Sequence, residues 1–154
     1  MACLRNATTQ TVKAHEIIVV DNNSTDNTRE LVQGFIDQHP NDNVILRQQT
    51  QLQGLIPTRN YGLDIATGDI VARIDADCMI KPNWVEVVAQ YFASHPNISG
   101  VTGPVCYYDE PLPPLGQWGD SLVREKQYSA DGMMLLFGSN MAVRRSIWPE
   151  IKND

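Results

Sequence analysis

The sequence predicts an α/β domain built on a mostly parallel sheet flanked by helices. Two observations carry this. Short apolar runs rich in β-branched residues, at 16–20 (EIIVV), 44–46 (VIL) and 70–74 (IVARI), alternate with stretches of helical periodicity. The first and third of these runs are followed directly by acidic or amide loops, Asp21-Asn22-Asn23-Ser24 and Asp75-Ala76-Asp77. Alternation of this kind builds βαβ units, whose crossover helices cover both faces of a parallel sheet.

The elements follow in order. Residues 1–10 read as the end of a helix. The 16–20 run is a strand that closes in the Asp21–Ser24 loop. Thr25 or Asp26 can cap a helix running to about Gln38, with Leu31, Val32, Phe35 and Ile36 on one face. His39-Pro40-Asn41 stops it, and residues 44–46 form a second short strand. Pro57 suits a first helical position, in a helix running through Ala66 that stops at Gly68. The 70–74 strand then delivers Asp75. Pro82 opens a helix over 84–93, which ends in a second His-Pro-Asn at 95–97. A strand over 99–105, a Pro-rich loop at 111–114 and short apolar runs at 133–137 and 140–143 complete the pass. The two His-Pro-Asn segments are punctuation: His near a helix C-terminus complements the dipole, and Pro blocks continuation.

Bulk properties narrow the function classes. The 154 residues suit one domain, with 42% apolar and 19% charged residues, as in ordinary soluble folds. A formal charge of −6 argues against a general nucleic-acid binder, whose footprint is basic. It leaves room for a phosphate-bearing ligand, because a divalent ion masks local acidity. No apolar run approaches the roughly 18 residues of a membrane span, and no secretory leader is visible. Cys3, Cys78 and Cys106 form no C-x-x-C pair, which points to reduced thiols in a cytoplasmic protein. In that compartment the four N-x-S/T sequons beginning at Asn6, Asn22, Asn23 and Asn97 are chance matches.

Asp75-Ala76-Asp77 is the most informative stretch. Along a regular strand, positions i and i+2 share a face, and two carboxylates so placed repel unless a cation or donors lie between them. Oxygen-only ligands suit Mg²⁺ or Mn²⁺, which commonly take one or two carboxylates plus substrate phosphate oxygens. The alternative is a polar strand-to-loop junction, because Asp is common where strands end. Asp21 is placed to accept hydrogen bonds from a ribose or a base, or else to cap the loop that follows it. DNNSTDNT fails as an EF-hand loop, since Asp26 and Val32 occupy the places that need Gly and Glu. Arg59 can pair with a diphosphate or simply be a surface Arg, and Asn60 can bond a phosphate or a neighbouring loop. Arg73 shares the strand face of Asp75 and can pair with it or with a neighbouring strand's carboxylate.

Four segments in order resemble a family 2 glycosyltransferase of the GT-A fold: EIIVVDNNSTDNT, GLIPTRNYGLDIATG, DIVARIDADCMIKPNWVE and Gly138-Ser139-Asn140-Met141-Ala142-Val143-Arg144-Arg145. The resemblance spans about residues 3–148. It implies transfer of a sugar from a nucleotide-diphosphate donor to an acceptor hydroxyl of a glycan, lipid or small molecule, with inversion and with Mn²⁺ or Mg²⁺. It implies that Asp21 contacts the nucleoside, that Arg59 and Asn60 lie near the diphosphate, and that Asp75 meets ribose or metal. Asp77 would hold the metal, and Gly138, Ser139 and Asn140 would border the donor sugar and acceptor.

The chain departs from the family pattern twice. The family begins with a strand that lies centrally, between the EIIVV strand and the Asp75 strand, and here no such strand precedes residues 1–10. Either those two neighbours close the gap, or a complementing chain, a second copy or another segment fills it. The family's acidic general base also falls beyond the Gly-x-Asn turn by more residues than follow Arg145, which leaves the base unassigned. The expectation is therefore a single partial GT-A domain over 1–154, short at both ends. The rivals are a catalytically incomplete nucleotide-sugar and metal-binding module, a non-functional fragment, and a nucleotidyltransferase, which would need a Gly-rich phosphate loop with Lys near the first strand. The 110–119 loop is expected to help set acceptor choice.

Overall fold

The structure, a computed structural model, describes residues 1–103 and 139–152. A short helix α1 (Ala2–Thr8) precedes strand β1 (Ile17–Asp21), followed by α2 (Thr28–Gln38) and β2 (Val44–Gln48). Helix α3 (Leu55–Ile65) leads into β3 (Ile70–Ile74), then α4 (Trp84–Ser94) and β4 (Gly100–Thr102). Strand β5 (Asn140–Arg144) runs through a 3₁₀ turn at Arg145–Ile147 into α5 (Trp148–Ile151). The α/β class and the element order are as the sequence predicts. The 111–114 and 133–137 segments, Cys106, and the end of the expected 99–105 strand lie outside the described residues.

Two helix starts and one helix face differ. Helix α2 starts at Thr28 and not at residues 25–26, because Asp26 accepts the Thr28 N–H at 3.0 Å and closes a local turn first. Leu31 stands 47% exposed, so the buried face of α2 is Val32 and Phe35 with Ile36 at its margin. Helix α3 begins at Leu55, ahead of Pro57. Gly54, at φ 137°, supplies the turn into it, and Pro57 sits within the first turn, where a missing N–H leaves no bond unmade.

The described strands form two separate pieces. β1 pairs β2 in parallel, Ile17 opposite Val44. In the second piece β5 lies between β3 and β4 and runs antiparallel to both, so β3 and β4 share a direction. Among the described residues β1 and β3 do not pair with each other. The gap therefore stays open there, and closure by its two neighbours is not what the fold adopts.

Packing fixes which helix covers which face. Leu4 of α1 and Val32 and Phe35 of α2 pack with Val44, and Ile17, Val19 and Leu46 border this cluster. Val20 points the other way: a Cβ added to Gly62 of α3 would stand 3.2 Å from it. Successive strand residues alternate faces, so α1 and α2 cover one face and α3 the other. At the far side, Phe92 (2% exposed) and Val143 (0%) fill the interior between α4 and β5. Arg144 ties these together, donating to the carbonyls of Ile98 at 2.8 Å and Phe92 at 3.1 Å while lying over the Phe92 ring.

Helix α1 also links the two pieces. Cys3 Sγ donates to the Asp75 carbonyl at 3.6 Å, and the Ile80 N–H donates to Asn6 Oδ1 at 2.7 Å. The Val85 N–H donates to the buried Gln10 Oε1 at 3.2 Å, and the Thr11 N–H donates to the Pro82 carbonyl at 2.8 Å.

Candidate donor site

β1 and β3 end at the same end of the molecule. Helix α3 runs against both: Gly62 meets Val20 near the end of β1, Arg59 reaches Asp75, and Thr67, just past the helix, donates to Glu16 at the start of β1. The acidic loops predicted from sequence thus emerge side by side from the carboxyl ends of parallel strands, where open α/β sheets bind ligands.

The Asp21 corner is a closed network. The Asp21 side chain is 2% exposed; its Oδ1 accepts the Ser24 N–H at 3.2 Å, and Arg29 Nε lies 3.7 Å from Oδ2. Asn22 donates to the carbonyls of Gln49 at 2.6 Å and Leu52 at 3.0 Å, and accepts the Gly54 N–H at 2.8 Å. It thereby holds the 49–54 loop to the end of β1. Asn23 takes φ 60°, an αL position that Asn tolerates. The loop-capping role weighed for this segment is the one its hydrogen bonds display. Arg29, which sequence reading passed over, is the cation at this corner; its place in the first turn of α2 was the available clue.

The Asp75 corner is more open. β3 ends at Ile74, and residues 75–78 form a turn closed by the Cys78 N–H on the Asp75 carbonyl at 3.0 Å. The two carboxylates therefore lie on a turn, and the shared strand face expected for them, and for Arg73 with Asp75, does not extend past Ile74. Arg59 Nη2 donates to Asp75 Oδ1 at 3.1 Å, with the two side chains 27% and 36% exposed. The buried Arg59 Nε has no hydrogen-bond partner among the described residues. Asp77 is exposed and has neither hydrogen bond nor ion pair among them. Burial pulls the Arg73 guanidinium below its ordinary range, and nearby Arg59 adds to this while Asp75 opposes it. Burial raises the Cys78 thiol, with the Asp75 and Asp77 charges reinforcing it against the Asp75 backbone bond. Cys78 thus stays a neutral packing group, as its soft sulfur beside hard carboxylates suggests.

Ser139 and Asn140 complete this corner. Cys78 Sγ donates to the Ser139 carbonyl at 3.6 Å, and Asn140 pairs with Ile74, next to Asp75. Trp84 Nε1 donates to Asn140 Oδ1 at 2.9 Å, a contact the sequence did not disclose because 56 residues separate the two. Gly103 approaches so closely that an added Cβ would lie 2.4 Å from Asn140 Nδ2. Gly138 lies outside the described residues, and Asn60 sits in α3 next to Arg59.

The donor chemistry suits a hard divalent ion. Among the described residues no cluster of three or more His, Cys, Asp or Glu gathers. The chain here offers at most two carboxylates, Asp75 and Asp77, which is the pattern of an ion completed by phosphate and water oxygens.

The family pattern of Glycosyl transferase family 2 matches residues 2–151. The chain belongs to that family. Glycosyltransferase AglE of Haloferax volcanii is 34% identical over 86 residues, covering 54% of this chain and 28% of that protein. Glycosyltransferase GlyG of Streptococcus pneumoniae is 31% identical over 108 residues, covering 70% of this chain and 35% of that protein. The chain thus spans about a third of these relatives' length. A solved mannosyltransferase, PcManGT from Pyrobaculum calidifontis in complex with GDP-Man and Mn²⁺, superposes with a TM-score of 0.76 at 24% identity. That match covers 97% of this chain and 41% of the mannosyltransferase and establishes the GT-A fold. No helix among the described residues is long and apolar enough to cross a membrane.

Proposed function

We propose that this chain is the donor-binding part of an inverting glycosyltransferase, taking a sugar from a nucleotide-diphosphate donor to an acceptor hydroxyl. The observation that carries this is the turn at residues 75–78, which presents an Asp77 without a partner among the described residues beside an Arg59-held Asp75 at the carboxyl end of β3. Asp75 and Asp77 hold Mn²⁺ or Mg²⁺, and the ion stabilises charge building on the leaving diphosphate. The mannosyltransferase neighbour, solved with GDP-Man and Mn²⁺, supports that reading. Arg59 keeps Asp75 oriented and lies near the diphosphate, with Asn60 beside it. The loop after β1 lies on the nucleoside side, its shape fixed by the contacts of the Asp21 carboxylate with Ser24 and Arg29. Gly138, Ser139 and Asn140 border the sugar and acceptor, with Asn140 aligned by Trp84. The general base is unassigned. The reduced thiols fit a cytoplasmic setting.

A second reading is favoured by the open gap between β1 and β3: a nucleotide-sugar-binding module that acts only with complementing polypeptide. Calorimetric titration of UDP and GDP, with and without Mn²⁺, on wild type and Asp77→Ala tests the donor site that both readings share. Metal-dependent binding that the substitution removes is the expected result. A cooperatively folded protein that binds neither nucleotide would overturn the donor-site reading.

A further inference from the structure

We infer that the groove between α1 and the end of α2 is a second binding site, which takes the phosphate group of a small soluble molecule. It lies at the amino ends of β1 and β2, whereas the candidate donor site lies at the carboxyl ends, the length of a five-residue strand or about 15 Å away. The inference is independent of the transferase reading. The groove has a volume of about 290 Å³, and its lining includes Arg5 and Thr8 of α1, Lys13 of the connection to β1, and Phe35, His39 and Asp42 around the end of α2. On a chain of net charge −6, two permanent cations here face one carboxylate. That carboxylate is already engaged: Lys13 Nζ lies 2.5 Å from Asp42 Oδ1, and His39 Nδ1 lies 3.9 Å from Oδ2. Arg5 is the surplus charge. Its guanidinium has no hydrogen bond or ion pair among the described residues and lies over the Phe35 ring, 5.8 Å from the centroid.

Aromatic packing seats these groups and leaves their donors unspent. Phe35 is 4% exposed and stacks on the His39 ring at 4.3 Å, so one buried ring carries both Arg5 and His39. A cation drawn to a ring face keeps its N–H donors for another partner. With Nδ1 toward Asp42, His39 has no partner for Nε2 among the described residues. The ordinary alternative is a set of cations that complements helix carboxyl ends. The carbonyls at those ends are instead taken by local donors. Arg5 O accepts the Thr8 and Thr9 hydroxyls, each at 3.0 Å, and the Thr9 N–H at 3.2 Å, while Phe35 O and Ile36 O share the His39 N–H. Arg5, Lys13 and His39 therefore reach the groove from three segments with charge to spare. Donors that converge from separate directions suit a tetrahedral oxyanion better than a flat carboxylate, and the guanidinium fork suits phosphate. The volume is about ten times a water's share of the liquid, room for a phosphate and a small body attached to it. The acidic chain as a whole is repelled by anionic bilayers, which selects a soluble phosphate.

The test is a titration with inorganic phosphate, followed by NMR shifts of backbone amides and Arg side chains. It uses the full chain carrying Asp77→Ala, without divalent metal, so that the donor site is silent. Saturable shifts confined to residues 5–13 and 35–42 are expected, and glycerol 3-phosphate should compete for the same residues. Acetate, and NaCl at equal ionic strength, should give no saturable shift there. Arg5→Gln should weaken phosphate binding at least about tenfold, and Arg5→Lys by less, because the charge stays and the fork goes. Asp42→Asn should tighten binding at least about threefold, since it removes a like charge from the anion's surroundings and releases Lys13. A purely structural cluster gives no such gain, and this arm does not depend on how well Arg5→Gln folds. Shifts that grow linearly with salt, saturation by acetate at the same concentrations, or weaker binding by an Asp42→Asn chain that melts like wild type would each overturn the inference. Shifts confined to residues 75–78 would overturn it in favour of the donor site alone.

Discussion

The Asp21 and Asp75 corners look alike in sequence, each an acidic loop at the end of an apolar strand, yet their side chains are put to opposite uses. At the first corner Asp21 is 2% exposed and Asn22 makes three hydrogen bonds to the 49–54 loop. At the second, Asp75 is bound by one Arg arm and Asp77 by nothing among the described residues. Donors and acceptors already satisfied within the chain stabilise it and have little left for a ligand. Those left facing water raise local repulsion, which an arriving cation relieves. The contrast separates a structural acidic loop from a binding one, which the letters alone do not.

Substitutions can break this contrast. The largest expected effect is on binding: Asp77→Asn should weaken Mn²⁺-dependent nucleotide binding by at least about tenfold, some 1.4 kcal/mol. Its melting temperature should match wild type, because no hydrogen bond or ion pair among the described residues is lost. A drop in melting temperature would place Asp77 in the structural class. Asp21→Asn should do the reverse in kind, costing about 1–3 kcal/mol in urea unfolding, since it leaves Arg29 short of its anion and weakens the Ser24 bond. An unchanged urea midpoint would sink the structural assignment. Arg59→Lys should lie between. It keeps the charge but loses the planar fork, so the expected loss is about 1 kcal/mol in nucleotide affinity with little change in stability.

The smallest effect sharpens the comparison from outside both corners. Burial pulls the carboxyls of Glu16 and Asp64 upward, but hydrogen bonds from Thr67 to Glu16, and from Lys152 and Trp148 to Asp64, leave both below their ordinary values of 4.5 and 3.8. The unfolded chain therefore takes up protons first as pH falls. The stability these groups contribute is full above their unfolded values and is lost as pH drops through the lower, folded ones. Thermal melts between about pH 5 and 3 should show this loss, and Glu16→Gln with Asp64→Asn should flatten the acid limb by well under 1 kcal/mol for such exposed groups. An unaltered limb would show that other carboxylates govern acid unfolding.

Most of the fold was legible because its signals are local. EIIVV, VIL and IVARI are apolar β-branched runs bounded by loop formers, and each became a strand; both His-Pro-Asn segments stopped a helix. Helix starts were less legible. Asp26 competes locally for the Thr28 N–H, and Gly54 turns the chain ahead of Pro57. The acidic residues of the site were legible as residue types at strand ends, but their state was not. Whether Asp21 is spent or free depends on Arg29 and Ser24, and whether Asn140 is aligned depends on Trp84. The resemblance predicted that a strand was missing between β1 and β3. The fate of the gap was beyond the sequence, since it turns on whether α1 and α3 hold the two strands apart.

The position of α1 also sets a schedule for making the protein. Its anchors on the second sheet piece are Asp75, Ile80, Pro82 and Val85, all more than 70 residues downstream of their partners. At roughly 5–20 residues per second, the ribosome needs about 4–15 s to supply them after α1 is made. Helix α1 and the residues just after it are thus fully anchored only once residue 85 is made, and until then Cys3, Asn6, Gln10 and Thr11 lack these backbone partners while Leu4 can already pack on α2 and β2.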